Sequence, residues 1–174
     1  MRSSQPGALQ RTLQDSPDTV TQILELLTGE AIVAHVVRQD AITAGADNAL
    51  GVPRGQPMTH RIAVLKGSTS QEPYLYAEST FVPQRLPETA GVQLARTNDP
   101  IGRIVVAHGF RLTRVALPRP GLPALPPAIT AGEPAAEVTW ARAYVLLLDD
   151  LPVFAISEWF FRSVLDALDR SRRV

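Results

Sequence analysis

Pairs of neighbouring β-prone runs constrain the fold of this chain more than any other feature. Met58–Lys66 and Tyr74–Val82 are separated only by the turn-forming letters GSTSQEP. Val138–Leu148 and Val153–Phe161 are separated only by the letters DDLP. Runs this close in the chain are typical of antiparallel hairpins. The chain is therefore predicted to fold around a largely antiparallel sheet, with helices between the hairpins, which is an α+β fold.

The first helix is predicted over Thr19–Thr28. Its apolar residues recur at helical spacing, and they are Val20, Ile23, Leu24 and Leu27. Ser16 or Asp18 is expected to cap its start, and Gly29 is suited to its end.

The rest of the chain is predicted to contain two more strands, three short helices and two loops. Further strands are predicted over Ala31–Gln39 and Phe110–Leu117, two short helices within Arg85–His108, a terminal helix over Ser163–Arg172, and loops over Asp40–Pro57 and the proline-rich Pro118–Ala135. Residues 1–174 are interpreted as one domain, with residues 1–12 and 169–174 loosely ordered.

Composition excludes several classes of protein. The 174 residues suit one domain, and 17 basic side chains balance 17 acidic ones, so the chain lacks the positive field of a nucleic-acid-binding protein. It has no cysteine, which excludes disulfides and thiolate ligands. No apolar run is long enough to span a bilayer, and the polar start does not resemble a secretory signal. We expect a cytoplasmic protein that binds no membrane.

Glu158 is the first candidate for chemistry. Period-two alternation places it on one strand face with Phe154, Ile156 and Phe160. A carboxyl group among such neighbours either has a raised pKa, as a general acid needs, or pairs with an arginine. The residue types alone leave both alternatives open.

Arg61 is the second candidate. Alternation within Met58–Lys66 predicts that its side chain is buried, and a buried guanidinium requires an anionic partner. Glu78 on the neighbouring strand is one possible partner, which would make the pair structural. A substrate carboxylate is the other, which would make Arg61 a binding residue.

Helix starts supply a third group of candidates. The Asp99-Pro100 pair is predicted to cap a helix that begins at Ile101, so backbone N–H groups at Ile101 and Gly102 are unpaired, as is that of Val20. Gly102 also has a simpler interpretation as a site of close packing. The three histidines lack the spacing of a zinc pair, and we predict no metal site.

Four stretches in this order resemble the chorismate pyruvate-lyase family. They are DTVTQILELL, THRIAVLKG, YLYAESTFVPQRLPE followed by QLARTNDPIGRIV, and LPVFAISEWFFRSVL. The resemblance extends from about Leu13 to Leu165.

The resemblance implies a single α+β domain whose helical flaps close over an internal ligand cavity. It implies a lyase that removes pyruvate from chorismate to leave 4-hydroxybenzoate, without metal or cofactor. Arg61 and the amides of Val20 and Ile101 would hold the ring carboxylate, and Glu158 would act as general acid at the opposite end of the ring. The expected partner is thus a small aromatic or enolpyruvyl carboxylic acid, bound by a monomer or a dimer.

Two positions depart from the family pattern. The strand VTWARAYVLLL keeps only Arg142 where relatives carry several arginines, and Ser79 replaces an arginine found in some members. The second carboxylate of chorismate is therefore expected to lack a partner on this strand. An enzyme acting on another biosynthetic substrate and a non-catalytic ligand-binding module remain alternative functions.

Overall fold

The sheet predicted from the hairpins is present and contains six strands. The computed structural model describes residues 6–118 and 137–173. In these ranges the strands are β1 (Ile32–Thr43), β2 (Pro57–Gly67), β3 (Pro73–Phe81), β4 (Leu112–Ala116), β5 (Val138–Leu148) and β6 (Leu151–Phe161). They form one sheet in the order β1-β2-β3-β6-β5-β4, and every neighbouring pair is antiparallel.

Five α-helices accompany the sheet in the described ranges. They are α1 (Pro6–Asp15), α2 (Val20–Thr28), α3 (Glu88–Arg96), α4 (Ile101–Ala107) and α5 (Arg162–Ser171), and a short 3-10 turn covers Pro83–Arg85. The α+β single-domain prediction is confirmed. The described part contains no helix long and apolar enough to cross a membrane.

Helix α2 begins as predicted but with a different cap. Thr19 accepts a hydrogen bond from the Gln22 amide at 3.3 Å, and the Gln22 side chain accepts one from the Thr19 amide at 2.9 Å. This reciprocal capping box replaces the predicted caps, because Ser16 and Asp18 bond to each other instead. Gly29 ends the helix with a φ of 72°, as expected.

The cap of α4 also differs from the prediction. Pro100 occupies the N-cap position, and no side chain caps the helix. The Asp99 carboxylate instead accepts hydrogen bonds from Gln93, Thr97 and Arg103. Asp99 therefore joins the end of α3 to the start of α4.

The turn between β5 and β6 is tighter than predicted. Only Asp149 and Asp150 lie between the strands, and both have positive φ, 49° and 68°. Positive φ at both central residues matches the twist of a two-residue hairpin. One irregularity between Leu146 and Leu147 shifts the register farther along the pair.

Helices lie close to both ends of the described ranges. Residues 6–15 form α1, and Leu13 is buried in the core. Helix α5 continues to Ser171. Apart from Pro118, the proline-rich loop Pro118–Ala135 lies outside the described residues.

Two apolar clusters lie against one face of the sheet. One joins α1, α2 and α5 to β1, β2, β3 and β6, and its largest members include Leu24, Leu75 and Phe160. The other joins α3 and α4 to β5 and β6 through Ile104, Leu146 and Phe154. The gap between the clusters is where the candidate site lies.

Candidate functional site

A cavity of about 60 Å³ lies between the two clusters, under the starts of α2 and α4. Its floor is apolar, with alanine and leucine side chains from β1, β2 and β3. Its polar side chains are Thr19 and Thr21 of α2 and Arg61, Ser79, Arg114, Tyr144 and Glu158 of the sheet. The predicted residues Arg61 and Glu158 therefore line the same cavity.

Arg61 is buried as predicted, with 2% of its surface exposed. Its guanidinium donates hydrogen bonds to the carbonyls of Leu94 at 2.6 Å and Asp99 at 3.2 Å, and to the Gln39 side chain at 3.3 Å. Burial lowers its pKa, and the charge of Asp99 partly offsets this. No described carboxylate forms an ion pair with Arg61. A buried cation held only by neutral oxygens is well suited to receive an anion.

The predicted pairing of Arg61 with Glu78 is wrong. In the register of β2 and β3, Arg61 lies opposite Ser79, whereas Glu78 lies opposite Ile62. Successive residues of a strand point to opposite faces, so Glu78 is on the other side of the sheet from the cavity. There its carboxylate accepts a hydrogen bond from Tyr76 at 3.1 Å. Glu78 is accordingly not a residue of this cavity.

Glu158 has polar partners rather than a purely apolar environment. It is 3% exposed, and Arg142 Nε donates to its Oε2 at 2.6 Å. The Tyr144 hydroxyl donates to its Oε1 at 3.0 Å. Of the two alternatives left open by the sequence, the structure shows the arginine pair.

Arg142 and Tyr144 both keep the protons that they donate to Glu158. Burial and the charge of Glu158 both raise the pKa of Tyr144, so its hydroxyl keeps its proton. Burial lowers the pKa of Arg142, but the charge of Glu158 and its hydrogen bond with Arg142 raise it, and the net shift is upward. Arg142 also donates to the Leu13 carbonyl at 2.8 Å, which fastens α1 to this group.

The helix starts meet at the cavity. Val20, Ile101 and Gly102 all line it. A Cβ atom on Gly102 would lie 2.8 Å from Thr19 Cβ and 3.0 Å from Thr21 Oγ1. Real Cβ atoms do not approach other atoms so closely. The close-packing interpretation of Gly102 is therefore correct, and this packing is what brings α2 against α4.

Sequence reasoning missed four polar residues of the cavity: Thr19, Thr21, Arg114 and Tyr144. Arg114 belongs to the edge strand β4 and donates to the carbonyls of Ser16 and Asp18 at 3.2 and 2.6 Å. Nothing local in the sequence signals contacts between segments this distant in the chain. Tyr144 could have been found, because alternation along β5 places it on the face of Arg142.

The described residues contain no group of three or more His, Asp or Glu side chains that could hold a metal ion. His35, His60 and His108 do not line the cavity.

Comparison with known proteins supplies two kinds of relative. No protein-family model matches the chain. In sequence it is 25% identical over 163 residues to proteins named chorismate pyruvate-lyase from Mycobacterium tuberculosis and Mycobacterium bovis, covering 88% of this chain and 80% of theirs.

In structure the chain is similar to PhnF from Mycobacterium smegmatis, with a TM-score of 0.61 and 17% identity over 85% of this chain and 65% of that one. The effector domain of PhnF alone gives a TM-score of 0.59 with 16% identity, over 85% of this chain and 91% of that domain. Together the comparisons support a chorismate lyase-like fold. The chain spans just under two thirds of full-length PhnF.

Proposed function

We propose that the cavity binds a small cyclic carboxylic acid and that the protein releases pyruvate from chorismate. The observation that carries the proposal is Arg61, a buried cation at the wall of the cavity that has no carboxylate partner among the described residues. A ligand carboxylate would supply the missing charge. The amides at the starts of α2 and α4 would add donors to the same anion.

The spacing of Arg61 and Glu158 suits one ring between them. Ala63 lies two residues beyond Arg61 on β2, opposite Ala77 of β3, which in turn lies opposite Glu158 of β6. With strands about 4.8 Å apart and a rise of about 3.3 Å per residue, the two Cα atoms are roughly 12 Å apart. Both side chains line the cavity, so they would contact opposite ends of a ring.

The proposed reaction is an elimination. The bond between the ring and the ether oxygen breaks, the neighbouring ring carbon that carries the hydroxyl loses its proton, and the ring becomes aromatic. The enolpyruvyl group gains a proton on its methylene carbon and leaves as pyruvate. Glu158 was expected to donate a proton, but both of its carboxylate oxygens accept hydrogen bonds, from Arg142 and from Tyr144. We therefore propose that Glu158 accepts a hydrogen bond from the ring hydroxyl and removes the proton from the ring carbon that carries this hydroxyl.

Binding requires the cavity to expand. Its volume of about 60 Å³ is well below the roughly 150 Å³ of a cavity that accommodates benzene. The elements able to move are α2 and α4, because the remaining walls are strands paired within the sheet. These helices correspond to the flaps implied by the family resemblance.

Incubation of the purified protein with chorismate tests the proposal. Pyruvate and 4-hydroxybenzoate should appear in equal amounts, faster than in buffer. Glu158→Gln should lower turnover by about a hundredfold or more, the range of a proton-transfer residue. Glu78→Gln is the matched control, because it makes the same change on the opposite face and should leave turnover unchanged. Equal turnover in both variants would remove Glu158 from the mechanism.

A binding function without catalysis is the second candidate. It is favoured by the structural similarity to the effector domain of PhnF and to the C-terminal domain of the histidine utilization repressor from Pseudomonas syringae, with a TM-score of 0.51 and 14% identity over 76% of this chain and 92% of that domain. Saturable binding of 4-hydroxybenzoate with no pyruvate from chorismate would support this candidate. Elimination from another enolpyruvyl acid would instead indicate a related enzyme with a different substrate.

A further inference from the structure

Glu158 is hydrogen bonded to a second group that can carry a proton. The Tyr144 hydroxyl donates to Glu158 Oε1 at 3.0 Å, and both side chains line the cavity. In the register of β5 and β6, Tyr144 lies opposite Ile156, two residues before Glu158. Side chains at such diagonal positions are within reach of one another. The sheet therefore holds a phenol and a carboxylate side by side on one wall of the cavity.

The elimination needs a proton donor as well as a base. The ring carbon loses its proton to Glu158, while the methylene carbon of the enolpyruvyl group must gain one. These two positions lie on either side of the ether oxygen, so two neighbouring protein groups can reach both. A donor must be within hydrogen-bond reach of the atom that it protonates. Beside Glu158, Tyr144 has a hydroxyl proton and faces the same space.

Two guanidinium groups lie close to the Tyr144 ring. The guanidinium carbon of Arg142 is 4.9 Å from the ring centre, and that of Arg114 is 5.9 Å from it. Burial and the charge of Glu158 raise the pKa of Tyr144, and the charges of the two arginines oppose this shift. The hydroxyl therefore holds its proton in the resting protein. A phenolate formed during the reaction would be stabilised by two cations that are already in place.

We propose that Tyr144 is a catalytic residue that protonates the methylene carbon while Glu158 takes the ring proton. The electron pair of the ring C–H bond completes the aromatic ring, and the pair of the breaking C–O bond becomes part of the pyruvate carbonyl. The π pair of the methylene group forms the new C–H bond with the proton of Tyr144. Glu158 then returns the ring proton to the phenolate across their hydrogen bond, which restores both groups. This inference rests on the proposed lyase function and adds a proton relay to it.

A single turnover in D₂O tests the relay, with the protein equilibrated in D₂O and present in excess over chorismate. The Tyr144 hydroxyl then carries deuterium, so the pyruvate should contain one deuterium in its methyl group. Lactate dehydrogenase and NADH convert the pyruvate at once to lactate, which prevents later exchange and is analysed by mass spectrometry. Unlabelled product would mean that the ring hydrogen passes directly to the methylene carbon, and it would overturn the proposal.

Tyr144→Phe removes the hydroxyl and should lower turnover by about a hundredfold or more, the range of a proton-transfer residue. Binding of 4-hydroxybenzoate should change little, because the ring carboxylate would still be held at Arg61. The slow residual product should be largely unlabelled, since Glu158 must then pass the ring proton to the methylene carbon itself. Residual product labelled as fully as that of the wild type would show that another group donates the proton and that Tyr144 only positions Glu158.

Tyr76→Phe is the matched control. The Tyr76 hydroxyl donates to Glu78 at 3.1 Å on the opposite face of the sheet, and neither residue lines the cavity. Loss of this hydroxyl should leave both the rate and the label unchanged. An equal fall in rate in Tyr76→Phe and Tyr144→Phe would show that lost stability, and not a lost proton donor, is the cause. Normal turnover in Tyr144→Phe would reject the relay alone, whereas a wild type that releases no pyruvate would reject the lyase and the relay together.

Discussion

Two buried arginines on the same face of the sheet have opposite electrostatic surroundings. Arg142 forms an ion pair with Glu158 and is flanked by Tyr144. Arg61 is more deeply buried, and its hydrogen bonds within the described ranges go to two backbone carbonyls and one amide side chain. Burial of the charge of Arg142 is offset within the protein. Burial of the charge of Arg61 is only partly offset by these neutral oxygens and by the nearby Asp99.

This difference separates a structural arginine from a binding arginine. Breaking a buried ion pair leaves an unmatched charge and destabilises the fold, whereas a guanidinium without a carboxylate gains most from an added anion. We therefore expect changes at Arg142 to act mainly on stability and changes at Arg61 to act mainly on ligand affinity.

Arg142→Met should produce the largest effect, a loss of about 3 to 5 kcal/mol in the free energy of unfolding, because Glu158 is left buried without its partner. Denaturant unfolding measures this loss. The double variant Arg142→Met with Glu158→Leu should recover a large part of it, since both charges are then absent. If the double variant is no more stable than Arg142→Met, the ion pair is not the source of the lost stability.

Arg61→Met should weaken binding of 4-hydroxybenzoate by about 2 to 5 kcal/mol, the usual range for loss of one partner of a buried charge pair. Arg61→Lys should restore only part of this affinity, because one ammonium cannot reproduce the guanidinium fork. Titration calorimetry measures both. Unchanged affinity with a strongly lowered melting temperature would show that Arg61, like Arg142, acts on stability rather than on ligand binding.

Ser79→Glu would give Arg61 an environment like that of Arg142, with a carboxylate beside the guanidinium. Ser79 is buried, lines the cavity and lies opposite Arg61 across β2 and β3. A glutamate there would give Arg61 its own carboxylate, so affinity for 4-hydroxybenzoate should fall about tenfold or more as the ligand is repelled. Ser79→Gln has a similar size and no charge, and it should cause a smaller loss. Equal losses would indicate that size rather than charge excludes the ligand.

Asp99→Asn should have the smallest effect and should depend on pH. A hydrogen bond from Gln93 lowers the pKa of Asp99 most, and burial partly opposes this shift. Hydrogen bonds from Thr97 and Arg103 lower the pKa further. A lowered folded-state pKa contributes stability above the unfolded pKa of about 4, and this is lost as the pH falls through the folded value. The wild type should therefore lose stability below pH 4 more steeply than Asp99→Asn, as thermal melts at several pH values would show. Parallel curves would contradict this.

The sheet and the burial of Arg61 followed from the sequence because alternation and short turns are local signals. The pairing of Glu158 did not. Leu148 lies opposite Leu151 next to the turn, but the irregularity between Leu146 and Leu147 shifts the following pairs, as far as Trp140 with Phe160, by one residue. This shift brings Arg142 opposite Glu158. A one-residue shift exchanges the faces of a strand, and periodicity does not reveal it.

The errors at Glu78 and Arg114 have related causes. The face of Glu78 depended on a register that the seven letters GSTSQEP do not determine, because loops longer than two residues allow several pairings. Arg114 is on a short edge strand, and its partners Ser16 and Asp18 are nearly 100 positions away in the chain. Local sequence predicts elements well, but it contains little information about which distant segments cover a site.

The contact at Gly102 has a kinetic consequence. Because the α4 backbone lies against the Thr19 and Thr21 side chains, neither helix can lift from the sheet without disturbing the other. Entry of a ring-sized molecule should then show one relaxation rate that becomes independent of ligand concentration when the ligand is in excess. Amide hydrogens of α2 and α4 should exchange with matching rates and should be protected to the same degree by the bound acid. The absence of one methyl group thus joins two short helices into a single moving part.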